Sequence, residues 1–343
     1  MKVLVLMGGN SAEREVSLSS GKAIIEGLKQ AGHQVLAIDT ARPKELIATD
    51  SKSLSDSIKT EPPDLKALRK LDSQKVLEGI DSSCVKDVEV IFLALHGGSG
   101  EDGTIQALLE LSGKPYTGSG VLASALAMNK EMSKKIFKSE GILTPPWVTW
   151  NKSDPVNEAQ FKFKVEKLGF PIVIKPHNQG STVGVTIIES SAELKDAIKH
   201  AEKYSDVVLA EKFVPGREIT VGIVDKTPLP VLEIVPEHGI YDYECKYTTG
   251  KSNYICPAEL SEELAKEAQG AALKAYLALD CEGYARVDFR LGTDNKFYCL
   301  EVNTLPGMTA HSLVPKAAQK AGIGFSKLLD KIVALAVKRK KRN

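Results

Sequence analysis

The 343-residue chain is long enough for two or three domains, and its 43% hydrophobic and 26% charged content is that of an ordinary folded protein. Lys and Arg number 45 against 44 Asp and Glu, so no excess charge points to nucleic acid or an acidic membrane surface as partner. No apolar run reaches bilayer length.

The N-terminal "KVLVLM" reads as a first buried strand rather than a secretion signal. The five cysteines form no C-x-x-C pair and no Cys/His metal spacing. An odd cysteine count without a signal predicts reduced thiols and a cytoplasmic location. Next come a helix over "SAEREVSLSSGKAIIEGLKQAG" and a strand at "QVLAID". Residues 41 to 85 are polar and rich in Ser, Lys and Asp, and read as a surface insertion with one or two helices. "DVEVIFLAL" is another strand and "EDGTIQALLELSG" a helix ending at Gly113. Short continuous apolar strands alternating with helices predict a parallel sheet covered on both faces, an α/β class.

The middle of the chain opens on one helix over "GVLASALAMNKEMSKKIFKSEG". After "GILTPPWVTW" an amphipathic helix runs up to Gly169. Strands at "FPIVIKP", "VTIIES" and "DVVLAEKFV" surround a glycine loop, "HNQGSTVG", and a helix, "SAELKDAIKHAEKY". This is a small α+β unit, separate from the parallel sheet. The last third has strands at "REITVGIVD" and "PLPVLEIV", an irregular stretch over 237–257, and a helix over about 259–280. Strands around Asp288 and Glu301 and two closing helices complete it. The final "KRKKRN" reads as a frayed, solvated helix end.

"LMGGNSAE" follows a strand and opens a helix, but it is not G-x-G-x-x-G, so a hydride-transferring dinucleotide fold is disfavoured. "KPHNQGSTVG" lacks the Walker A pattern. It is either a plain hairpin connection or a loop whose backbone N–H groups close over phosphates, with Lys175 as the point charge. Period-2 strands put Asp288 on one face with Arg286, and Glu301 on one face with Asn303. With "GTDNK" as the turn between them, two carboxylates and an amide oxygen converge. Such an all-oxygen set suits Mg²⁺; a half-exposed polar sheet face is the alternative. Glu211 and Glu218 flank a loop containing Phe213, a combination that suits a purine and a ribose only weakly when taken alone.

Taken together, "GGNSAEREVSL", "ALHGGSGEDGTIQ", "PYTGSG", "KPHNQGSTVGV", "YDYECKY", "ARVDFRL" and "EVNTLPGMTAHSLVP" closely resemble the bacterial D-alanine–D-alanine ligase family of the ATP-grasp superfamily. The resemblance covers nearly the whole chain except the 41–85 insertion and the basic tail. It implies an N-terminal parallel α/β sheet domain over 1–118. Central (119–210) and C-terminal (211–343) α+β subdomains would clasp ATP, with a lid near 237–257. The implied activity is ATP-dependent joining of two D-alanines through a D-alanyl phosphate, for peptidoglycan precursors. The implied cofactors are ATP as substrate and two Mg²⁺ or Mn²⁺; a homodimer is also implied.

The family's positions carry over residue by residue. Asp288, Glu301 and Asn303 match the metal ligands. Arg286 and the Gly307 N–H match the oxyanion partners. Ser312 and Leu313 match the seat of the second carboxylate. Glu13 matches the acid that takes the first ammonium, with His96 beside that pocket. Ser181 and Tyr247 match the partners linking Glu13 to two closing loops. Lys130, Lys175 and Lys246 match phosphate-side lysines. Glu211 with Lys212, Phe213 and Val214 matches the adenine slot, and Glu218 the ribose contact. His177, Asn178 and Gln179 depart into a variable part of the family's pattern, and Leu305 replaces a smaller residue found in some members.

Overall fold

The computed structural model describes residues 1–43, 45–47, 49, 85–154, 158–237 and 250–340. Most of the 41–85 insertion, the end of the basic tail, and Lys246 and Tyr247 in the expected lid lie outside the described residues.

The first layer holds β1 (Lys2–Met7), α1 (Arg14–Gln30), β2 (Gln34–Asp39) and β3 (Val90–Leu93). β1 lies in the centre and pairs in parallel with both neighbours, in the order β2-β1-β3. Val3 to Met7 are all fully buried, which is why the strand is written as a continuous apolar run. α1 starts at Arg14, later than Ser11, and Glu13 takes the N-cap position. α2 (Thr104–Leu111) follows β3.

The helix expected over residues 120 to 141 is two helices, α3 (Val121–Met128) and α4 (Lys130–Ser139). Asn129 between them is extended, and its side-chain oxygen accepts from the Met132 N–H at 3.1 Å. Asn favours this N-cap geometry over a helix interior, so the chain restarts there.

The middle unit is β4 (Trp147–Asn151), α5 (Glu158–Leu168), β5 (Ile172–Pro176), β6 (Thr186–Ile188), α6 (Leu194–Glu202) and β7 (Val207–Lys212). Its sheet is antiparallel with order β4-β7-β5-β6. The sequence reading left β4 unassigned; its Trp-Val-Thr-Trp run has the residue types of a strand. Its core includes Trp150, Phe161, Val165, Ile172 and Val208.

The last unit contains β8 (Gly216–Val224), β9 (Thr227–Pro228), β10 (Leu232–Pro236), β11 (Ser252–Ile255), α7 (Glu262–Ala278), β12 (Tyr284–Gly292) and β13 (Phe297–Asn303). The sheet runs β11-β10-β8-β12-β13, all antiparallel, with β9 on β8. β11 corrects the reading of 237–257 as wholly irregular, because Ser252–Ile255 pairs with β10 along its length. A four-residue edge strand is too short to show periodicity.

α8 (Leu313–Lys320) and α9 (Phe325–Lys340) close the chain. From α9, Leu328, Leu329, Ile332, Val333 and Ala336 enter the same core as Ile24 and Leu28 of α1 and the strands β1 and β3. The end of the chain therefore packs on the first sheet. Among the described residues, no helix is long and apolar enough to cross a membrane.

Candidate active site

The hairpin β12–β13 places Asp288 directly opposite Glu301, and Arg286 opposite Asn303. A register shift follows Asp288, where the pairing breaks before Phe289. Such irregularities re-aim side chains next to sites. Arg286 forks onto Asp288, with Nε 2.8 Å from Oδ1 and Nη2 2.7 Å from Oδ2. Thr220 of β8 donates to the same Oδ1 at 2.6 Å. Glu301 pairs with the Lys130 ammonium at 2.7 Å, and Asn303 Oδ1 accepts from the Leu305 N–H at 2.9 Å. Each carboxylate is thus neutralised by a cationic side chain. Two carboxylates and an amide oxygen on one hairpin form a donor set that fits a hard divalent cation, which takes oxygen ligands and keeps positions for water and phosphate. Among the described residues, no three His, Cys, Asp or Glu side chains gather into a closed metal cage.

Lys130 is the first residue of α4, buried, and it also donates to the Gln179 carbonyl at 2.8 Å. That bond ties it to the glycine loop between β5 and β6. Lys175 of β5 is buried and donates to Glu211 Oε1. Glu211 of β7 also meets the Lys134 ammonium at 2.9 Å through its other oxygen. Burial alone would raise the Glu211 carboxyl, but the two ammonium groups outweigh it and hold it at about 2. Its carboxylate is therefore an internal counter-ion, already engaged, at the end of the expected adenine slot.

One open cleft lies between the two antiparallel sheets. Lys130, Lys175, Asp288 and Glu301 stand in its lining with Glu211, Lys212, Phe213, Val214 and Glu218. Apolar walls come from Val173, Val185, Ile187 and Leu300. Apolar faces with a few convergent charges suit a flat base carrying a polyphosphate. The Lys212 ammonium is tied to the carbonyls of Gly169 and Phe170 at 2.7 and 2.9 Å. Arg290 lies 5.6 Å from the Phe213 ring centre and 3.5 Å from Glu218.

The glycine loop closes against the first layer. Ser181 donates to Glu13 Oε1 across the two units. A Cβ on Gly180 or on Gly97 would come within 2.8 or 2.7 Å of Glu13 Oε2, so the carboxylate is boxed between two glycines. Ser181 and Thr182 both sit at positive φ, 48° and 61°. Two adjacent non-glycine residues held there indicate a loop fixed by its surroundings. His96 is buried, with Nε2 3.1 Å from Ser20 Oγ. Ser20 Oγ in turn accepts from the Met308 N–H at 3.4 Å. The first-layer pocket is thereby linked to the bend after β13. On that bend a Cβ at Gly307 would lie 3.2 Å from Ser312 Oγ. Ser312 is the N-cap position of α8, Leu313 is its first residue, and Ser312 Oγ accepts from the Thr309 N–H at 3.0 Å.

Two models of the D-ala D-ala ligase family match the chain, its N-terminal part over residues 2–119 and its C-terminal part over residues 136–334. The chain belongs to the D-alanine–D-alanine ligase family. A D-alanine–D-alanine ligase of Syntrophotalea carbinolica is 43% identical over 339 residues, covering 99% of this chain and 97% of the relative. Among solved structures, a D-alanine–D-alanine ligase from Bacillus anthracis complexed with ATP superposes with a TM-score of 0.78. It is 35% identical and covers all of this chain and 98% of the other. The VanG D-Ala:D-Ser ligase of Enterococcus faecalis superposes with a TM-score of 0.77 at 29% identity, covering 98% of this chain and 99% of the other. The ATP-grasp architecture expected from the sequence is the architecture found.

Of the ligase-family positions named from the sequence, the structure brings Lys130, Lys175, Asp288, Glu301, Glu211, Phe213, Val214 and Glu218 to one cleft, and Glu13 and Ser181 to one contact. Lys212 reaches the cleft, but its ammonium is spent on carbonyl groups. Sequence reasoning missed Lys134 and Thr144. One signal was available for Lys134: it stands four residues after Lys130 and so shares its helix face.

Proposed function

We propose that this chain binds ATP in the cleft between its two antiparallel sheets and joins two D-alanine molecules, with ADP and phosphate as the other products. The observation that carries the reading is the pairing of Lys130 with Glu301, opposite Asp288, in a cleft that also holds Lys175. Cations and carboxylates alternate there along the course a triphosphate would take.

A carboxylate does not condense with an amine in water because its oxygen is a poor leaving group. The carboxylate of the first D-alanine attacks the γ-phosphorus of ATP, ADP leaves, and an acyl phosphate forms. Transfer of this kind needs alignment and charge neutralisation more than covalent help. Lys130 and Lys175 supply positive charge on the phosphate side. Asp288, Glu301 and Asn303 would hold two Mg²⁺ ions, which neutralise phosphate charge when bound. Glu13, held by Ser181, takes the first ammonium and orients its carboxylate toward the cleft. The second D-alanine rests its carboxylate on Ser312 and the backbone at Leu313. Its amine attacks the acyl carbon, and the oxyanion that develops is met by Arg286 and the Gly307 N–H. The carbon–oxygen bond to the phosphate breaks and phosphate departs with that bond's electron pair; of the two protons the nitrogen gives up, one goes to the phosphate and one to solvent, leaving the dipeptide. Lys246 and Tyr247 enter this reading through the family resemblance, as residues of a lid that keeps water from the acyl phosphate. The same reading places the enzyme in the cytoplasm, as a homodimer, supplying the peptidoglycan precursor.

The test is product identity. The protein with MgATP and D-alanine is expected to yield D-alanyl-D-alanine and ADP in equal amounts, and L-alanine is expected to yield neither. D-serine and D-lactate, offered with D-alanine, check the second position. D-alanyl-D-serine dominating over D-alanyl-D-alanine would move the chain to the substrate class named for the Enterococcus relative, and a dominant D-alanyl-D-lactate would make it an ester-forming ligase.

A further inference from the structure

Behind the nucleotide cleft lies a buried trio of charges, and one member has no role in the reading above. Lys134 of α4 is 0% exposed. Its ammonium donates to Thr144 Oγ1 at 2.7 Å and to the Pro145 carbonyl at 3.3 Å, and stands 2.9 Å from Glu211 Oε2. The Trp147 ring centre is 5.5 Å away. Two hydrogen bonds and an ion pair fix this ammonium in place. Lys175 holds the opposite oxygen of the same carboxylate and lines the cleft. Two cations on one anion leave a single positive charge. Only Lys175 of the two faces the space a polyphosphate would occupy.

We propose that Lys134 is a positioning residue for nucleotide binding: as the fixed counter-ion of Glu211, it leaves Lys175 free to exchange that carboxylate for a nucleotide phosphate. The inference rests on the reading of Lys175 as a phosphate-side lysine. Without Lys134, Glu211 would keep Lys175 as its last cation. A phosphate would then have to strip a buried carboxylate bare, which is the costly way to break a buried pair. With both ammonium neighbours in place Glu211 is held at about 2, so in the parent protein the carboxylate is an anion engaged by two cations. Burial lowers the Lys134 ammonium itself, so its charge depends on that same carboxylate.

A bracing role is the competing account. Thr144 Oγ1, which accepts from Lys134, donates to the Cys299 carbonyl on β13 at 2.8 Å. If Lys134 merely braced that strand, its loss would disturb the whole cleft. The two accounts separate by calorimetry with MgATP and MgADP, with adenosine as a competitor that has no phosphate. The proteins are the parent, Lys134→Met, Glu211→Gln and the double variant. Lys134→Met is expected to weaken ATP and ADP by about 10- to 100-fold, the range of one charge-assisted bond, while adenosine stays within about threefold. In the Glu211→Gln background, Lys134→Met is expected to change ATP binding by no more than about threefold, because no buried anion is left to claim Lys175. That comparison needs no folded single Lys134 variant. Parallel loss of ATP and adenosine, an equal loss of ATP in both backgrounds, or unchanged ATP binding in Lys134→Met would each overturn the proposal. A parent that fails to bind ATP would overturn the nucleotide reading itself.

Discussion

At the scale of single residues, the site is a set of charges that stabilise one another until substrate arrives. Glu301 bonds Lys130, Asp288 bonds Arg286, and Glu211 bonds Lys134 and Lys175. Glu301→Gln keeps the shape and removes the charge. Turnover is expected to fall by at least ~100-fold, with a rise in the Mg²⁺ concentration needed for half-maximal rate. A variant with the parent's rate and Mg²⁺ dependence would remove Glu301 from the metal set. The hairpin acids were legible in the sequence because period-2 strands and a short turn bring opposite positions together. The engagement of Glu211 was not legible. It depends on Lys134, 77 residues away, and on a burial that no local pattern reports.

At the scale of elements, the break at Asn129 decides where the two buried lysines of α4 point. A continuous helix through that position would carry on the phase of α3. The cap restarts it, so that Lys130 and Lys134 both turn inward. Asn129→Ala removes the 3.1 Å cap bond to the Met132 N–H. It is expected to lower stability by about 1 kcal/mol and to weaken ATP binding as well. Urea titration measures the first effect and calorimetry the second. If stability did not change, the side chain would not be the cap, and the restart would need another cause. Strands β4 and β11 escaped the sequence reading for a shared reason. Each is four or five residues long at the edge of its sheet, and each lies close to proline. Short edge segments lack the periodicity that marks longer elements.

At the scale of the whole molecule, the chain ends where it began. α9 packs on α1, and Gly27 faces it. A Cβ at Gly27 would lie 2.5 Å from Leu329 Cδ1 and 2.9 Å from Phe325 Cε1. Gly27→Ala therefore sets two effects against each other. Helix propensity favours Ala by about 1 kcal/mol, while overpacking costs roughly 1–3 kcal/mol. The contact with a well-packed core should win, so the thermal midpoint is expected to fall; a higher midpoint would show that the two helices part at little cost. No pattern along the chain foretold this contact, since amphipathicity says that a face is buried but not against what. That a parallel sheet comes first along the chain was legible from its alternating strands and helices. The central claim is chemical: activation passes through an acyl phosphate. D-alanine labelled with ¹⁸O in its carboxylate tests it most directly. The account predicts that one ¹⁸O per turnover appears in inorganic phosphate, with ADP as the only nucleotide product. Unlabelled phosphate, or label found in AMP, would contradict it.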